Sequence, residues 1–273
     1  MNNPELYAEN SDIAHDISES IMNKYESWLS WKENEMIMDI GIGSGEVTKQ
    51  TILPRIKSNF RQYVGVDINK NFLSLAQRIL MEDTRFRFVE MDIATDIVPN
   101  DLIGKFDHIL SFLTLHWVKN PRKSFENMYK MLKPDGELFL MYFAKVPIDY
   151  AFTELGKDPK WAKYDHSNYI SPYFHSSDPL RDCEKDLLAA GIKNYKIQIE
   201  NMVSRFPSET NFKNLLYSVN PMLKDIPKEE VEDYKRDFVD YALKKGGYYA
   251  DYDEHGEKFI GSKYSLIVIY AKK

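Results

Sequence analysis

A chain of 273 residues carries 42 acidic and 36 basic side chains, a formal charge of −6, with 43% apolar and 14% aromatic residues. That balance argues against a nucleic-acid substrate, which needs a basic surface, while the apolar share suffices for a sizeable core. One cysteine, Cys183, excludes an internal disulfide; no apolar run approaches a membrane span, and Met1-Asn2-Asn3-Pro4-Glu5 lacks the basic and apolar regions of a signal peptide, so a cytoplasmic protein without membrane association is expected.

In chain order, the first predicted element is an amphipathic helix over 12–29, with Ile13, Ile17, Ile21, Tyr25 and Trp28 near helical spacing. A buried strand over 36–40 follows, then Asp39-Ile40-Gly41-Ile42-Gly43-Ser44-Gly45, then a helix from about Val47 to about residue 57. Glycines between a strand and a helix let the backbone approach a ligand and aim the helix N-terminus at it. The dinucleotide fingerprint would need a third glycine where Glu46 stands, so the pattern is an aspartate-led G-x-G-x-G instead. Strands over 62–67, 86–91, 106–111 and 137–143 alternate with helices over 70–81 and 121–132. Such alternation predicts right-handed crossovers and a mostly parallel sheet covered by helices on both faces. Ligands of such sheets bind at the carboxyl ends of the strands. Asp39, Asp67, Asp92 and Ser111 all fall at those ends, with Ile68, Ile93 and Phe112 beside them.

After Phe143 the regularity breaks into an aromatic, turn-rich stretch to Pro179. A helix over 180–190, stopped by Gly191, and a strand over 195–203 restore it. Two helices joined around Asn220-Pro221 to Pro227 occupy 208–245, and a last strand covers 264–270. The fold class expected is α/β, a Rossmann-like seven-stranded sheet in one domain. Its core would be about 30–143, 180–203 and 262–273; insertions 1–29, 144–179 and 204–261 would cap the active site and shape an acceptor pocket.

The glycine loop, the acids at the ends of the second and third strands, Phe106-Asp107-His108-Ile109-Leu110-Ser111-Phe112 and the turn Lys133-Pro134-Asp135-Gly136 stand in the order and spacing of one family. Together they resemble the Rossmann-like S-adenosylmethionine (SAM) methyltransferases. The resemblance implies a SAM site at Asp39, Gly41, Gly43, Gly45, Asp67, Ile68, Asp92, Ile93, Ser111 and Phe112, with S-adenosylhomocysteine as product and no metal. Asp39 offers negative charge to the ammonium group and Asp67 accepts from the ribose hydroxyls.

Further segments narrow the likeness: Met1 to Tyr7, Leu110-Ser111-Phe112-Leu113-Thr114-Leu115-His116-Trp117-Val118, Tyr169-Ile170-Ser171-Pro172-Tyr173-Phe174-His175, Asn220-Pro221, and the end from Lys263-Tyr264 to Lys273. Over nearly the full chain the sequence is similar to the insect juvenile hormone acid O-methyltransferase family. That implies methylation of a small apolar carboxylic acid, juvenile hormone acid or farnesoic acid, to its methyl ester. It also implies an acceptor site at Tyr7, Ile13, His15, His116, Trp117, Ile170 and Tyr173, with Trp117 donating its indole N–H to a carboxylate oxygen and His116 orienting it. One position departs: where the family carries Gln in the first helix, this chain has Ile13, so a neutral donor is missing and His15 is the nearby substitute. Another acid, a hydroxyl acceptor needing a base, or a non-catalytic SAM- or terpenoid-binding relative stay open as alternatives, as does a monomer or a homodimer.

Overall fold

Apolar runs bounded by Gly, Asn and Asp fold as a sheet in the computed structural model, which describes residues 3–252 and 254–273. Met1 and Asn2, part of the N-terminal segment of the resemblance, lie outside the described residues. β1 (Met36–Ile40), β2 (Gln62–Asp67), β3 (Phe86–Glu90), β4 (Phe106–Phe112) and β5 (Leu132–Lys145) pair in parallel. Because successive side chains leave a strand on opposite faces, each central strand feeds two cores. Met38, Val64, Ile109 and Leu138 enter one; Ile37, Tyr63, Leu110 and Phe139 enter the other.

Beyond β5 the sheet turns antiparallel. β6 (Asn194–Phe206) and β8 (Lys258–Lys272) complete the path β3-β2-β1-β4-β5-β8-β6, seven strands as expected. An eighth strand, β7 (Tyr248–Tyr252), pairs with the start of β8, where β5 has already ended. The expected strands 195–203 and 264–270 are therefore each several residues longer. Their paired extension projects beyond the parallel sheet and carries part of the site wall.

Helices α3 (Lys70–Leu80) and α4 (Pro121–Met131) start on side-chain caps, Asn69 accepting from the Asn71 N–H and Asn120 from the Lys123 N–H. α2 (Asp12–Tyr25) and α6 (Pro179–Ala189) lie close to their predicted ranges. Between Val47 and Ile56 the expected helix forms but is widened at Thr48–Ile52, with ordinary helical bonds on either side, from the Lys49 N–H to the Gly45 carbonyl and from the Ile56 N–H to the Ile52 carbonyl. There Thr48 gives its hydroxyl to Asp39 at 2.6 Å while its carbonyl accepts from the Leu53 N–H. Wide turns of this kind are frequent at functional sites.

Two further helices were not predicted: α1 (Pro4–Glu9) and α5 (Pro147–Leu155), the latter in the stretch read as irregular. α5 packs with α7 (Glu209–Val219), α8 (Val231–Lys245) and β7 around a third core that includes Phe152, Trp161, Phe212, Phe238 and Tyr248. This core stands over the carboxyl ends of the strands. Among the described residues no helix is long and apolar enough to cross a membrane.

Candidate functional site

Three residues after the end of β1 the backbone has turned twice through positive φ, at Gly41 (+73°) and Gly43 (+57°). A Cβ at Gly41 would stand 2.0 Å from the Thr114 hydroxyl, which donates to the Gly41 carbonyl at 3.3 Å and clasps the loop to the end of β4. At Gly43 the nearest atoms to such a Cβ are 4.0 Å away, so that side of the loop faces open space. Gly45 serves another purpose: its α-carbon lies against Ala76 and Leu80 of α3, making it a packing glycine rather than a groove lining.

Two grooves meet at this loop. In one, Asp39, Gly41, Gly43, Ser44, Phe112, Tyr7 and His15 share the wall. In the other, Gly41 continues to Asp67, Ile68, Phe72, Asp92, Ile93, Lys119 and Trp117. Asp39 is buried, accepts from Thr48 at 2.6 Å and Tyr63 at 3.1 Å, and is pushed up to about 6 by its burial. Asp67 accepts from the Gly43 N–H at 3.1 Å and the Asn69 N–H at 2.9 Å; burial raises it too, against those bonds. Asp92 lies two residues past the end of β3, not at its last position, and is exposed with one oxygen on the Ala94 N–H. Ser111 does not face either groove. Its hydroxyl donates to the Ile40 carbonyl at 2.9 Å and locks β4 to β1. The combination suits a cationic, adenosine-bearing cofactor: acids for ammonium and hydroxyls, apolar Ile68, Met91 and Ile93 for a planar base, and a loop free of side chains at Gly43.

A third cavity opens on the other side of Leu113 and Trp117, beneath the helical cap. Its empty space, counted together with the solvent-open mouth, is about 770 Å³. Ile13, Ala14 and Ile17 of α2 form one wall; Phe143, Val146 and Ile148 form a second. Phe206, Leu215, Leu216, Val219 and Tyr248 close the far side. No Lys, Arg, Asp or Glu is among its lining residues. Trp117 borders both this cavity and the Asp67 groove, while Tyr7, Ala14 and Leu113 border both it and the Asp39 groove. Leu113 reaches that junction with φ at +50°, an uncommon conformation for a branched residue, held by its N–H on the Met141 carbonyl at 2.8 Å.

His116 and Trp117 sit on the short 3-10 turn Leu115–Trp117 after β4, their rings 5.0 Å apart, with Phe143 5.0 Å from His116 edge-on. Burial drives the His116 imidazole down to about 3, so it is neutral, and among the described residues its buried Nδ1 has no partner. Half-buried at the junction, the Trp117 indole N–H makes no hydrogen bond among the described residues. Tyr7 is held protonated, its phenol pushed up to about 12 by burial and then by the charge of Asp67.

Three expected acceptor residues stand elsewhere. His15 faces the Asp39 groove, not the cavity, because it lies on the side of α2 turned away from Ile13 and Ile17. Tyr173 is buried in the sheet core, donating to Asp186 at 2.7 Å. Ile170 packs on the outer cap core, and its carbonyl accepts from Lys119 at 2.9 Å. Sequence reasoning also missed Leu113, Phe143, Ser204, Tyr248, Ser262 and Tyr264. Leu113 and Tyr264 lay within segments already singled out by similarity; β7 gave no periodic signal from which Tyr248 could be placed.

A family model described as a methyltransferase domain matches residues 38–140. The chain is 29% identical over 278 residues to juvenile hormone acid O-methyltransferase of Drosophila melanogaster, covering 100% of this chain and 93% of that one. It is 27% identical over 280 residues to the Bombyx mori enzyme of the same name, covering 100% and 98%. The solved structure of the YcgJ protein of Bacillus subtilis superposes with a TM-score of 0.62 at 16% identity, over 94% of this chain and 98% of that one.

Proposed function

We propose that this S-adenosylmethionine-dependent methyltransferase, similar over its full length to the juvenile hormone acid O-methyltransferases, methylates the carboxylate of a sesquiterpenoid acid such as juvenile hormone acid or farnesoic acid, producing the methyl ester. The observation that carries the choice of acceptor is the cavity: apolar, free of charged side chains, and joined to the cofactor grooves at Trp117 beside a neutral His116. S-adenosylmethionine, when bound, supplies an electrophilic methyl group. Gly41 and Gly43 let the backbone approach it, Asp39 and Asp67 match its ammonium and ribose, and Ile68, Asp92 and Ile93 border its base.

At the junction the Trp117 N–H donates to one carboxylate oxygen, and His116 and Tyr7 offer further neutral donors. A carboxylic acid is already ionised at neutral pH, its ordinary value being about 4. No base is therefore required. A hydroxyl acceptor would need one, and an imidazole held at about 3 is a poor base near pH 7, which favours the acid over the alcohol. The apolar wall excludes water from an anion whose charge disappears on esterification, and alignment in such a site can supply roughly 7–11 kcal/mol. A carboxylate nucleophile also needs no metal. The proposed setting is the cytoplasm, in keeping with the single free, buried Cys183.

The test is incubation with methyl-labelled SAM and a panel of juvenile hormone acids, farnesoic acid, fatty acids and matched alcohols. Label in methyl esters of the sesquiterpenoid acids supports the reading. Label only in fatty-acid esters, label in ethers of the alcohols, or cofactor binding without transfer would replace it with another acid acceptor, a hydroxyl acceptor or a non-catalytic binder, respectively.

A further inference from the structure

Where β7, β8 and β6 run side by side, Tyr248, Ser262 and Ser204 are direct cross-strand partners, Tyr248 opposite Ser262 and Ser262 opposite Ser204. Residues in such lateral register leave the sheet on the same face, and all three line the acceptor cavity. They form a row of hydroxyls across an otherwise apolar wall. Ser204 is already satisfied, sharing a hydrogen bond of 2.7 Å with the Tyr264 hydroxyl. Neither Ser262 nor Tyr248 has a side-chain hydrogen bond among the described residues, although they are only 4% and 8% exposed. Neither hydroxyl oxygen is among the fully enclosed unpartnered atoms, so each opens to the cavity, and an unpartnered hydroxyl on an otherwise apolar, mostly buried wall is where a ligand's polar atom gains most.

The row also has a defined depth. Phe143, whose ring touches His116, is paired with Leu266 on β8. Ser262 lies four residues earlier on the same strand, which at the usual rise is about 13 Å from the level where the carboxylate would be held.

We propose that Ser262 and Tyr248 form a distal polar subsite that donates hydrogen bonds to an oxygen carried by the acceptor about 13 Å from its carboxylate, an ether, epoxide or carbonyl. This deepens the acceptor assignment above and rests on it: the cavity selects apolar acids oxygenated near their far end over the plain acids of equal length. Both hydroxyls keep their protons; Tyr248 is held well above the usual phenol value by burial, so it acts as a donor.

Two acids of matched length, one bearing a single ether or epoxide oxygen at that distance, are compared in methyl-ester formation by the wild type, Ser262→Ala and Tyr248→Phe. The wild type should favour the oxygenated acid by about threefold to tenfold in kcat/KM, the size of one neutral hydrogen bond. Each variant should bring that ratio toward one, mainly through KM for the oxygenated acid, with thermal unfolding confirming that it folds. Equal rates for the two acids in the wild type, or variants that slow both acids by the same factor, overturn the subsite while leaving the carboxyl methyltransferase reading intact. Should neither acid be esterified, that reading falls, and calorimetric binding of the same pair in the presence of S-adenosylhomocysteine decides the subsite on its own: preference for the oxygenated acid supports it and equal affinity overturns it.

Discussion

Trp117 presents an unpartnered indole N–H at the junction of cavity and groove, while its ring also packs against the cap core, so bulk and donor must be separated. Trp117→Phe keeps much of the apolar area and removes the donor. Folding and SAM affinity should stay close to wild type while ester formation falls tenfold or more, as expected for a charge-assisted bond worth about 1.5–3 kcal/mol. A folded variant with full activity would move the carboxylate away from Trp117. Ile13 raises the complementary question. It lines the cavity on α2 where the similar family has an amide, and His15 cannot stand in from the cavity side because it faces the other groove. Ile13→Gln should raise turnover on sesquiterpenoid acids; unchanged turnover at saturating acid would show that Tyr7 and His116 already satisfy the carboxylate. His116 also leaves a mark on stability. Its imidazole titrates near 6.5 in the unfolded chain and at about 3 when buried, so between those values the unfolded chain binds the extra proton. Its contribution is complete above about 6.5 and is lost as pH falls below it. Asp39 and Asp149, raised by burial from 3.8 to about 6, act with the opposite sign between those two values. Comparing Tm at about pH 7.5 and about pH 5, the wild type should lose more than His116→Phe; equal losses would mean that the imidazole is not held neutral in the fold.

The strand–loop–helix unit after β1 divides its glycines between shape and access. Gly43→Ala puts an L-residue at φ +57°, which costs about 1–2 kcal/mol, but meets no protein atom nearer than 4.0 Å. Gly41→Ala adds a collision with Thr114 to the same kind of strain. Gly43→Ala is therefore expected to fold with a modestly lower Tm and a large loss of SAM affinity by calorimetry, whereas Gly41→Ala should lose stability first. Unchanged affinity in a folded Gly43→Ala protein would remove the loop from the cofactor site. The contrast also shows what was legible in the sequence. The glycine loop, the strand-end Asp67 and the order of the parallel strands are local patterns, each written in a few consecutive residues, and the structure brings Asp39, Gly41, Gly43 and Asp67 to one loop. Gly45 and Ser111 carry the same motif spacing yet are used for packing and for a strand-to-strand bond, a difference that spacing cannot express. The acceptor wall was mostly illegible because it is assembled from side chains far apart in sequence: Ile13, Trp117, Phe143, Ser204, Tyr248 and Ser262 meet only once β6, β7 and β8 extend past the sheet. Tyr173 misled for the converse reason, since a segment identified by similarity has one side toward the cap and another toward the core.

Across the whole molecule the cofactor half and the cap are joined by α1. Six residues are too few for a helix to persist alone, so α1 depends on what it touches. On one side the Tyr7 ring meets Phe72 of α3 edge-on at 5.6 Å. On the other the Asn3 N–H donates to the Ser218 carbonyl of α7 at 3.5 Å, and Asn10 accepts from Asn211 at 3.2 Å. Tyr7 at the same time borders both the acceptor cavity and the Asp39 groove. Ligands in either compartment would then add contacts to one marginal element, and segments of this kind open at a small fraction of the global unfolding free energy. Backbone amides of residues 6–10 should therefore exchange slowly only when S-adenosylhomocysteine and an acid are both bound, with smaller protection from either alone. Linkage requires the same coupling in affinity: each ligand should tighten the other by the same factor, and Tyr7→Ala should bring that factor toward one. Amide exchange in α1 that ignores both ligands while exchange in the sheet remains protected would show that the two compartments fill independently and that α1 only covers them.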